Sequence, residues 1–146
     1  MKDFFSDIFA YHHHFNQELA DIFSKNSYRI SDRTIPLFSH MINAHQIWNS
    51  RILQTHSLGV NDIHTLEKCK NLDDLNIKET LKILEDFDLN TKISYQNSRK
   101  QPFENSILEI LYHVANHFSH HKGQLISDLR ENGIEPPITD YIFYKR

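Results

Sequence analysis

An all-α fold of four helices is the expectation, and three observations carry it. Apolar residues recur at helical spacing in long stretches, beginning with Phe4, Phe5, Ile8, Phe9, Phe15, Leu19, Ile22 and Phe23. Only three Gly and four Pro occur, too few for the many tight turns of an all-β chain. Ser106 followed three residues later by Glu109 is a capping box, a helix start written in sequence. With 146 residues, 39% of them hydrophobic, ten Phe and six Tyr, the chain can bury a sizeable core and reads as one domain over 1–146.

The first helix is expected from Lys2 to Ser24. His12, His13 and His14 within it point about 100° apart, so they cannot act as one site and read as surface or boundary residues, with room for one of them to lean toward a pocket. Tyr28 to Thr34 is a linker, with Asp32 or Thr34 as cap and Pro36 acceptable in the next first turn. The second helix runs to Thr55 on Leu37, Phe38, Met41, Ile42, Ile47, Trp48, Ile52 and Leu53. His56 to Leu75 is polar and weakly periodic, a long connection in which His56 and His64 are expected in solvent. Extended, it spans up to roughly 60 Å, whereas a long helix measures about 36 Å. It can therefore return along the bundle and leave helices two and three parallel.

The third helix is expected from Asn76 to Lys92, with Asn76 as N-cap and Glu79 three residues on. Leu81, Leu84, Phe87 and Leu89 supply its core face. Ile93 to Asn97 alternates and Pro102 to Asn105 follows a polar turn, which suggests a short irregular β-hairpin between helices three and four. The fourth helix has Ile107, Leu111, Val114, Phe118, Leu125 and Leu129 as its seam, with His121 on the same side, and stops at Gly133. An aromatic tail after Pro136-Pro137 is expected to pack back on the helices.

Composition excludes several functions. A net charge of −3 offers no basic footprint for nucleic acid. No apolar run reaches the roughly 20 residues of a membrane span, and no signal peptide is visible. Cys69 is the lone cysteine, read as an ordinary thiol in or near a loop. It permits no internal disulfide and suits a cytoplasmic setting. There is no glycine-rich phosphate loop, no nucleophile elbow and no paired E-x-x-H of a di-iron bundle.

Eleven histidines are the oddity. His113, His117 and His121 form a column at i, i+4 and i+8, and two imidazoles one turn apart can grip one metal ion. Either overlapping pair, His113 with His117 or His117 with His121, has the required spacing. His40 lies on the inner side of the second helix beside Leu37, Ala44, Ile47 and Trp48. His45 is about 140° away from it and cannot share an ion with it. Buried imidazoles need partners for both ring nitrogens, and His40 with His121 and His117 could satisfy one another through an ion. His120 is off the column and reads as exposed.

The stretch Leu37-Phe38-Ser39-His40-Met41-Ile42-Asn43-Ala44-His45-Gln46-Ile47-Trp48-Asn49-Ser50-Arg51 resembles the second helix of the DinB-like (DinB/YfiT) family of proposed metalloenzymes. Asn116-His117 before His120-His121-Lys122-Gly123-Gln124 resembles that family's last-helix signature, and Pro136-Pro137-Ile138-Thr139-Asp140-Tyr141 its ending. The resemblance implies a four-helix bundle of up-down-down-up topology, often a homodimer. It also implies a divalent metal, zinc or nickel, held by His40, His117 and His121. Lys122 stands where many members carry Arg, and His45 where many carry an acidic residue.

Three imidazoles leave positions open for water or substrate, the mark of a catalytic zinc site. Some members are thiol-dependent transferases, so the resemblance implies a small-molecule substrate, a low-molecular-weight thiol and an electrophile, or else hydrolysis by metal-activated water. Gln124 and Asn116 are candidates to orient ligands or substrate, and His45 or His113 to relay a proton. The alternative is a non-catalytic, stress-related metal-binding bundle.

Overall fold

The computed structural model describes residues 1–146, whose elements follow from where apolar and polar side chains are buried. Helix α1 (Lys2–Lys25) turns Phe5, Phe9, Phe15, Leu19 and Phe23 inward. Phe4, 56% exposed, lies off that face. Helix α2 (Thr34–Leu53) has Arg33 at its N-cap, with no side-chain cap bond. Neither Asp32 nor Thr34 caps it: Thr34 is already helical, and its hydroxyl pairs with that of Ser31 at 3.2 Å. Pro36 falls in the first turn, where its missing N–H costs nothing.

Helix α3 spans Leu66–Asp86, so it begins ten residues before the expected start at Asn76. The cap is Thr65, whose hydroxyl accepts from the Lys68 amide, and Asn76 sits buried in mid-helix. Periodicity fails here because the helix turns polar groups inward. Asp73 accepts from Asn16 and Gln17 of α1 at 2.8 and 2.9 Å and pairs with His13 at 2.6 Å. The Asn76 amide donates to the Ile42 carbonyl. Leu81, expected in the core, is exposed, while Leu84 and Leu89 are buried. Cys69 is not in a loop: it is fully buried on α3, 3.7 Å from the Ser39 hydroxyl.

Residues 54–65 return along α2. Gln46 bonds the backbone of His56 and Leu58, Asn43 donates to the Asp62 carbonyl, and the His64 amide donates to Ser39. The α2–α3 contacts then climb together, from Ser39 with Cys69 to His45 with Thr80, so the two helices run parallel. Helix α1 runs against α3, as His13 meets Asp73 while Lys2 reaches Glu85.

Strands β1 (Lys92–Gln96) and β2 (Pro102–Ser106) form the expected antiparallel hairpin, with Tyr95 opposite Phe103. Helix α4 (Ile107–Glu131) starts at the full Ser106–Glu109 capping box and runs against α2. Gly133 adopts φ +67 just beyond its end, a left-handed position that suits glycine. The tail packs back through Tyr11 Oη to the Thr139 carbonyl at 2.5 Å and Tyr141 Oη to Asp7, and ends in a short helix α5 (Tyr141–Tyr144). A 22-residue apolar cluster drawn from all four long helices forms the core. No helix is long and apolar enough to cross a membrane.

Candidate metal centre

Because α2 and α4 are antiparallel neighbours, one residue of α2 can face two successive turns of α4. That is how His40 meets His117 and His121. His117 Nε2 lies 3.1 Å from the Nε2 of His40 and 3.1 Å from that of His121. The three nitrogens all fall within 4.8 Å of one another, in half-buried side chains that could hold a metal ion. Two nitrogens bound to one zinc at about 2.0–2.1 Å with tetrahedral angles would be roughly 3.3 Å apart.

Proton placement tests the fit. His40 Nδ1 faces the Val60 carbonyl at 3.3 Å, and His121 Nδ1 faces Gln124 Oε1 at 2.6 Å. Both partners are acceptors, so each ring carries its proton on Nδ1 and presents a bare Nε2. His117 Nε2 can donate to only one of them. The other bare Nε2 is left without a donor, and a shared cation would satisfy all three lone pairs with His117 protonated on Nδ1 instead. Desolvation, reinforced by His121 and His40, pushes His117 down to about 3. Desolvation also lowers His121, against the Gln124 hydrogen bond. Both shifts hold His117 and His121 toward the neutral form that metal ligands must have. These residues could hold a metal ion.

The other candidates separate. Gln124 orients His121. His113 is exposed at the edge, its ring 5.9 Å from that of His117, and is not among the converging nitrogens. Asn116 does not reach the centre: it lines an apolar cleft with Phe5, Ile8, Tyr11 and Tyr112, because one residue's step turns it about 100° from His117. His45 cannot relay a proton there. It is buried between Phe9 and Phe118 and bonds Thr80 at 2.7 Å. Burial takes it to about 3.

His12 and His64 are also more enclosed than their sequence settings suggest. His12 is buried, stacks on Phe118 and accepts from Lys122 Nζ at 3.1 Å. Desolvation brings Lys122 down to about 7. His64 is not solvated: it bonds Asn43 Oδ1 at 2.7 Å, where the returning loop folds over α2. His120 is exposed. Sequence reasoning missed the Val60 carbonyl, for which no side-chain signal exists.

The pattern of the DinB family matches residues 20–146. The chain belongs to the DinB family. The matched region contains His40, His117 and His121, so in this DinB-family protein the histidine cluster lies inside the shared part of the fold. No curated protein matches it closely enough to add a relative.

Proposed function

We propose that this DinB-family protein is a metal-dependent enzyme in which His40, His117 and His121 hold one divalent ion, zinc or nickel. The reaction is transfer of a small thiol onto an electrophile, or hydrolysis. The supporting observation is the convergence of three Nε2 atoms, two of them bared by acceptors on Nδ1. No other His, Cys, Asp or Glu joins the trio, which leaves room for a reactant. When bound, such an ion supplies Lewis acidity and lowers the pKa of a coordinated water or thiol. The nucleophile comes from solution, since Cys69 is fully buried. His113, exposed beside His117 and lowered by desolvation and Arg51, is neutral and can take a proton at a ring nitrogen.

Around this site we read the helix directions as an up-down-down-up four-helix bundle, a single domain over 1–146 that acts as a cytoplasmic homodimer. The opposed α1–α3 and α2–α4 pairs and the parallel α2–α3 pair support the topology. Elemental analysis followed by assays with a panel of small thiols and electrophiles tests the function. Bound zinc or nickel and turnover lost in His40→Ala are the expected results. A metal-loaded protein inert to the whole panel would point instead to a non-catalytic, stress-related binder. Metal content unchanged in His117→Ala would remove the centre itself.

A further inference from the structure

Beyond the histidine centre, toward the hairpin, the seam between α2 and α4 opens into a cavity of about 240 Å³. Its walls are Trp48, Tyr95, Ile110 and His113, with Asn105 and Glu109 at the polar end. His113 joins the two places. Its ring lies 5.9 Å from that of His117 on one side and 5.2 Å from that of Trp48 on the other. Trp48 in turn meets Tyr95 edge-on at 5.0 Å.

The polar groups at the hairpin end of the cavity are already engaged. Tyr95 Oη donates to Asn105 Oδ1 at 2.7 Å. Glu109 Oε2 accepts from the Ser106 amide at 2.7 Å and from Asn105 Nδ2 at 3.3 Å, with Lys92 at 3.8 Å. What they leave for a ligand is aromatic and aliphatic wall and the ring nitrogens of His113. Arg51 is different. Its guanidinium carbon sits 4.2 Å from the Trp48 ring centroid and 4.6 Å from that of Tyr95. Its contacts there are ring faces, and no carboxylate of the chain pairs with it. Stacking accounts for the position of the guanidinium but uses none of its five N–H donors, which form a planar fork suited to an oxyanion. Pinning the fork on two rings also removes much of the ordering cost of binding.

We propose that this cavity seats the body of the substrate and that Arg51 recognises a carboxylate on it. The ligand class is a small carboxylic acid with an aromatic or branched aliphatic body. Placing the acid's reactive end at the histidines rests on the metal-enzyme reading; the cavity and Arg51 do not.

Trp48 is the chain's one tryptophan, so its fluorescence reports occupancy directly. The test titrates the full chain, with and without zinc, using benzoate and phenylacetate against benzamide and phenylacetamide. Saturable changes are expected, with the acids bound about tenfold or more tightly than the amides. Arg51→Met removes the preference, and Arg51→Lys, which keeps the charge but not the fork, restores part of it. Far-UV circular dichroism confirms that each variant is folded. Equal affinity for acid and amide, an undiminished preference in Arg51→Met, or no fluorescence response to any probe overturns the proposal. His117→Ala separates the two readings. If the acid preference vanishes there, bound metal rather than Arg51 was reading the carboxylate, and the proposal fails. If wild-type protein takes up no zinc yet prefers acids, the metal reading fails and the acid pocket stands.

Discussion

Gln124 contributes to the centre without being one of its three convergent nitrogens. Its Oε1, 2.6 Å from His121 Nδ1, keeps the proton on that side and the lone pair aimed inward. Partners of this kind are worth roughly 10–100-fold in metal affinity. Gln124→Leu is therefore expected to weaken zinc binding by about that factor in a chelator competition, while Gln124→Glu retains most of it. Affinity unchanged in Gln124→Leu would mean that the helix backbone alone sets the ring. Some of these residues could be picked out in sequence and some could not. His117, His121 and Gln124 share one helix, where spacing fixes their relative placement. Val60 acts through a backbone carbonyl, and Asn116 fell on the wrong side by a single step.

Helices α2 and α3 are joined by a buried polar seam as well as by apolar packing. The Thr80 hydroxyl donates to Asn49 Oδ1 at 3.1 Å and so accepts from His45 Nε2 at 2.7 Å, while Asn49 donates to the Asn76 carbonyl. Thr80→Val keeps the shape but strands His45 Nε2–H and Asn49 Oδ1 in the core. The expected loss is about 1–3 kcal/mol, read from urea denaturation. No loss would mean that water or a rotamer change reaches those atoms. This seam also explains why the start of α3 was misplaced. A hydrophobic pattern marks a helix only where its buried face is apolar, and here Asp73, Asn76 and Thr80 are buried. The fourth helix was legible because its cap is local and its seam apolar.

At the scale of the molecule, buried neutral histidines set the response to acid. His45 is held at about 3 by burial and His12 well below its ordinary value. Unfolded, each titrates near 6.5. As pH falls below that value the unfolded chain takes up protons that the native chain refuses, so stability drops by about 1.4 kcal/mol per pH unit per group. His13 works the other way. Asp73 raises it, so its contribution is full below about 6.5 and fades as pH rises through the raised value. The expected balance is a loss of stability between about pH 7.5 and about pH 5, shallower in His45→Gln, which keeps a donor for Thr80 but cannot titrate. Equal acid slopes in the two proteins, measured by urea denaturation, would assign the loss to other groups.

The sequence by itself determined the helical class, the hairpin, the cap of α4, the stop at Gly133 and the column of His113, His117 and His121 on one helix, while the fold chose His117 and His121 from it. Each depends on residues near one another in the chain, where spacing and caps act directly. Only the tertiary structure decided the early start of α3, the burial of His12 and His64, the Val60 contact and the cavity beside Arg51. In each of those, a polar group's partner comes from another element, and no local pattern records which element will face it.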